Sequence, residues 1–94
     1  MVLSTYAERT PQEQDLISQF YAAMTTARQS ENYFDFEAGN HVHNLLCELS
    51  LPAPSFQRTT LIRYVREYDW TQVSEQFRAR FQQMSQRLLE EGAN

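Results

Sequence analysis

A chain of 94 residues has room for one domain with a modest core. Its 2 Gly, 3 Pro and single Cys exclude a disulfide scaffold and argue against a loop-rich or all-β design. A net charge of −4 lacks the basic footprint of a nucleic-acid binder, and no apolar run approaches the ~20 residues that a membrane helix needs.

Six Phe, five Tyr and one Trp let a short chain build a core from few positions. Gln is abundant and β-branched residues are few, which favours helix. Every basic residue is Arg. Seven acids stand against Arg9 and Arg28 in residues 1–48, whereas six Arg face five acids in 49–94, so the second half is the more basic.

Residues 1–9 read as an arm on the single domain 1–94. They have neither the apolar stretch nor the basic start of a signal peptide. With one cysteine and no oxidative signature, the expectation is a cytoplasmic protein. Thr10-Pro11-Gln12-Glu13 is a helix start: Thr10 caps, Pro11 fits the first turn and Glu13 completes a capping box. Leu16, Ile17, Phe20, Tyr21, Met24 and Ala27 then form one wide apolar face, predicting a first helix over 11–29.

Residues 30–37 carry Tyr33, Phe34 and Phe36 too close together for one helix face. They read as a connection, or as an irregular first turn of the next helix. Val42, Leu45, Leu46 and Leu49 mark a second helix over about 38–50, with Gly39 weakening its first turn by roughly 1 kcal/mol. Leu51-Pro52-Ala53-Pro54 breaks it. Ser55 caps a third helix to about 68, with Leu61, Tyr64, Val65 and Tyr68 inward and Ile62 at the flank.

Asp69 is a cap for the last helix, which the spacing predicts to Glu91 before Gly92. Its apolar residues Trp70, Val73, Phe77, Phe81, Met84 and Leu88 fall at steps of 3, 4, 4, 3 and 4. That spacing is the period of a straight helix, not of a coiled coil. At ~1.5 Å per residue this helix would be about 33 Å long. The expected fold is all-α: a compact bundle of about four helices with a long C-terminal helix, the longest of them.

Chemistry-bearing residues are sparse. His41, His43 and Cys47 are the metal-ligand types, with Glu37 four residues before His41. On a helix His41 and His43 stand about 200° apart, so they cannot grip one ion, and two ligands from His43 and Cys47 fall short of a zinc site. Asp35, Glu37 and the two histidines are the minimum for acid–base work, but phosphate loop, nucleophile elbow and HExxH are missing. No metal, no cofactor and no enzymatic activity are expected.

Function then falls to contact. A helix longer than its domain projects part of its apolar stripe beyond the chain's own partners. The expectation is a protein-interaction module, an adaptor, regulatory subunit or assembly factor, working as a homodimer. Phe77, Phe81, Met84 and Leu88 would be anchors, and Arg78, Arg80 and Arg87 the polar rim. The alternative is a dimeric helix-turn-helix regulator. The helix over 55–68 would then read nucleic acid through Gln57, Arg58, Arg63 and Arg66. What separates the two is whether these Arg side chains are free and co-facial or tied to acids.

Overall fold

The computed structural model describes residues 9–51 and 57–92. They form four α-helices: α1 (Pro11–Arg28), α2 (Tyr33–Leu49), α3 (Arg58–Arg66) and α4 (Glu75–Gly92), with one turn of 3-10 helix at Trp70–Gln72. There is no strand among the described residues. Of the arm expected at 1–9 only Arg9 is described, and it is no loose arm: its guanidinium lies 2.7 Å from Glu91 and 3.5 Å from Glu13. Residues 1–8, the prolines at 52 and 54 and the Ser55 cap lie outside the described residues.

α1 starts where the sequence predicts. Thr10 Oγ1 accepts from the Glu13 amide, and the Glu13 carboxylate accepts from the Thr10 amide, completing the capping box. Ile17, Phe20, Met24 and Ala27 point into the core, with Leu16 and Tyr21 on its flanks.

α2 begins five residues earlier than expected. Asn32 is its cap, accepting from the Phe34 amide at 2.9 Å. Tyr33, Phe34 and Phe36 therefore form a regular first turn, and all three remain exposed. Only Asp35 of that turn points inward, which resolves the crowding of aromatics: they need not share a face because none is core. Further along, Ala38, Val42, Leu45 and Leu46 are buried. Gly39 sits in the helix interior, where an added Cβ would stand 3.1 Å from Phe81 Cζ, so its lack of a side chain lets α4 come close.

α3 is shorter than expected, ending at Arg66. Val65 is its one fully buried residue, and Leu61 and Ile62 flank the core. Tyr64 was expected inward but is 51% exposed. Tyr68 lies beyond the helix and is half-buried.

The last helix begins at Glu75, not after Asp69. Asp69 caps the 3-10 turn instead, and Val73 is extended between that turn and α4. The six-residue stripe thus spans two elements. Asp35 fixes the junction. It is fully buried and accepts from Ser74 N at 2.7 Å, Ser74 Oγ at 2.8 Å and Ser30 Oγ at 3.0 Å. One carboxylate therefore joins the α1–α2 connection, α2 and the start of α4.

α2 and α4 each pack against all the other helices. Phe81 is the hub, edge-on to Phe20 at 5.6 Å and stacked on Phe77 at 5.9 Å. α4 has 18 residues, as does α1, so the C-terminal helix is long without exceeding the first. At ~1.5 Å per residue it measures about 27 Å, inside a molecule 35 Å in its longest dimension. No overhang is left. No helix of the described residues is long and apolar enough to cross a membrane.

Candidate functional site

The C-terminal stripe is core. Phe77, Phe81, Met84 and Leu88 are all buried against the chain's own helices. The argument that made them interface anchors required a helix reaching past its domain, and α4 does not. Their arginine neighbours are mostly engaged as well. Arg78 donates to the Val73 carbonyl at 2.7 Å and to the Thr71 carbonyl at 3.3 Å, closing the 3-10 turn. Arg87 pairs with Glu13 at 2.6 Å, within a network that includes Arg9, Glu90 and Glu91. Arg80 stays exposed beside a shallow groove between α1 and α4.

The nucleic-acid candidates differ in their engagement. Arg58 Nε lies 3.9 Å from buried Glu48. Arg63 and Arg66 are exposed and make no ion pair among the described residues. Gln57 is the residue before α3 and gives no side-chain cap. Of the three candidate cations, Arg58 is thus tied to an acid and Arg63 and Arg66 are not.

His41 and His43 stand on different sides of α2, as their spacing requires. His43 Nδ1 is 2.8 Å from the Tyr21 hydroxyl, and the Cys47 sulfur is 3.7 Å from His43 Nε2. Partial burial lowers the His43 pKa, with Arg28 adding to the effect. Burial also raises the Cys47 thiol. Both shifts oppose a thiolate–imidazolium pair, so this grouping is poorly set for nucleophilic chemistry. Among the described residues, no group of three His, Cys, Asp or Glu side chains is placed to hold a metal ion.

His41 belongs to a different grouping, which the sequence reading did not assemble. Its ring packs on Tyr64 and on Tyr68, each at 5.6 Å. Tyr68 in turn meets Trp70 edge-on at 5.2 Å. The Tyr68 hydroxyl lies 3.1 Å from both the Phe34 carbonyl oxygen and Glu37 Oε1, which share its one proton. The Tyr33 hydroxyl donates to the other Glu37 oxygen at 3.0 Å. Glu37 is thus a bracket between two phenols. Hydrogen bonding to this carboxylate raises the pKa of Tyr33, and burial followed by the same bond raises that of Tyr68.

These contacts line an open cleft of about 520 Å³, bounded by Glu37, His41, Tyr64, Glu67, Tyr68 and Asp69. Tyr33 is 65% exposed, Phe34 39% and Tyr64 51%. Each position has a local cause. Asn32 starts α2 early enough to put Tyr33 and Phe34 on its outer turn. α3 ends at Arg66, which lets Tyr68 fold back across α2. The signal for the first was the Asn32 to Asp35 spacing, a cap followed by an acid at the third helical position. The meeting of Tyr64 and Tyr68 with His41 is tertiary and has no local signal.

No protein family, no curated protein and no solved structure matches the chain.

Proposed function

We propose that this chain is a non-enzymatic protein-interaction module that docks a partner protein through the aromatic face of α2 and α3. The observation that carries the reading is the exposure of Tyr33, Phe34 and Tyr64 around a cleft already lined by Tyr68 and His41. Aromatic residues are enriched at contact surfaces because they bring large rigid area at low entropic cost. The rings here are held by hydrogen bonds and edge contacts, so little order is lost on docking. The reading keeps the adaptor or regulatory role expected from the sequence and moves it from α4 to the opposite elements. Self-association, if it occurs, has the same face to use.

The test is recovery of the tagged chain from its native host. The wild type should retain a partner in near-stoichiometric amount. Tyr33→Ala/Tyr64→Ala should lose it while staying folded with only a small drop in melting temperature, because both side chains are more than half exposed and each gives up one surface contact. Gln83→Ala, on the outer side of α4, should keep it. Retention by the double variant contradicts the reading. Light scattering at micromolar concentration identifies the partner class: twice the chain mass, reversed by Tyr64→Ala, means a second copy.

A further inference from the structure

The cleft between α2 and α3 combines two features that together select a ligand chemistry. Its walls are aromatic, and its charged groups are all carboxylates: Glu37, Glu67 and Asp69. Two of the three are satisfied from within. Glu37 accepts from Tyr33 and Tyr68. Asp69 accepts from Thr71 and from Gln72 Nε2, and these bonds lower its pKa. The Glu67 carboxylate makes no hydrogen bond or ion pair among the described residues, although it lines the same cleft one turn beyond Tyr64; only the Glu67 amide is engaged, donating to the Arg63 carbonyl at 2.9 Å. An exposed phenol ring and an unpaired carboxylate at this spacing offer one face and one edge to a cation.

We propose that the cleft receives an arginine side chain of a foreign partner protein, its guanidinium lying on the Tyr64 ring and pairing with Glu67. This proposal rests on the reading of the α2–α3 face as the docking surface. Charge complementarity selects a cation, since three carboxylates oppose phosphate, nucleic acid or an acidic segment. The aromatic walls select a cation that is weakly hydrated and flat. A guanidinium stacks on a ring while its edge donates two parallel hydrogen bonds to a carboxylate, whereas an ammonium in an open cleft keeps its water.

Trp70 gives the experiment its signal. It is the only tryptophan in the chain and touches Tyr68 at the cleft. The probe is a Gly/Ser peptide carrying three spaced arginines, titrated against the full chain while Trp70 emission is followed. Matched peptides replace arginine by lysine or by citrulline, which keeps the shape and loses the charge. The arginine peptide should give a saturable change. The lysine peptide should bind at least about threefold more weakly and the citrulline peptide at least about tenfold. Glu67→Gln and Tyr64→Ala should each weaken the arginine peptide at least about threefold with little change in melting temperature.

Equal binding of the citrulline peptide overturns the proposal, as does wild-type affinity in both variants or no saturable change at all. If the arginine peptide fails while Tyr33→Ala/Tyr64→Ala still abolishes capture of the native partner, the docking face stands and the arginine is wrong. If the native partner survives that double variant, the docking face itself is wrong. A dimer broken by Glu67→Gln would assign the arginine to a second copy and overturn the foreign partner.

Discussion

Asp35 is the clearest case of one side chain determining more than its own neighbourhood. It is a fully buried acid whose oxygens accept from Ser30 and twice from Ser74. Removing the carboxylate leaves the Ser74 amide and hydroxyl without their acceptor in the interior. Asp35→Ala should therefore destabilise the fold by about 3 kcal/mol, read from denaturant unfolding. A loss under about 0.5 kcal/mol would mean that the three bonds hold nothing together. Glu13 makes the opposite kind of contribution, at the half-buried edge of the molecule and dependent on pH. The Arg87 side chain and the Thr10 amide hold its carboxyl at about 2, against an ordinary 4.5. The folded state thus binds the proton less readily than the unfolded chain. Its stabilisation is complete above pH 4.5 and fades as pH falls towards 2. Glu13→Gln should lower the melting temperature slightly at pH 7 and by much less at pH 2, where about half of the folded-state carboxyls already hold the proton. An equal effect at both values would contradict the Glu13–Arg87 linkage. Solvent screening at that edge keeps this contribution small.

Among the elements, α4 decides between the two uses of its stripe. Phe81 touches Phe20 and Phe77 and stands closest to Gly39. Phe81→Ala should cost about 3–5 kcal/mol in denaturant unfolding, the loss of a fully enclosed ring. Phe81→Glu should unfold the chain and not merely dissociate an oligomer. A folded, stable Phe81→Glu would return the stripe to the surface. The four helices were legible from their apolar period, as where Val42, Leu45 and Leu46 fill α2, but the expected cap held only at α1, where Thr10 and Glu13 open the helix. The break before α4 was not legible. Trp70, Val73 and Phe77 keep a step of 3 and then 4, so a 3-10 turn followed by an extended residue imitates one continuous helix. That imitation lengthened α4 by about a turn and a half and created the overhang from which an interface was inferred. In the candidate site, Tyr33, Phe34, Glu37 and His41 drew attention as local clusters. Tyr64 and Tyr68 did not, because periodicity places them inward at Leu61 spacing. Only the position of α2 shows that this side of α3 opens on a cleft.

At the scale of the whole molecule, the apolar stripe expected to be a contact surface is buried, and the proposed docking face lies on α2 and α3. The chain uses α4 to close its core, and among the described residues the exposed aromatics are Tyr33, Phe34 and Phe36 on the first turn of α2 and Tyr64 on α3. The docking face predicts where a partner must come closest. The direct measurement is photo-crosslinking in the native host, with a benzoylphenylalanine in place of Tyr64 in one variant and of Gln83 in another. Position 64 lines the cleft; position 83 is exposed on α4. The account predicts one discrete adduct from position 64 and none from position 83. An adduct from position 83 alone would contradict it.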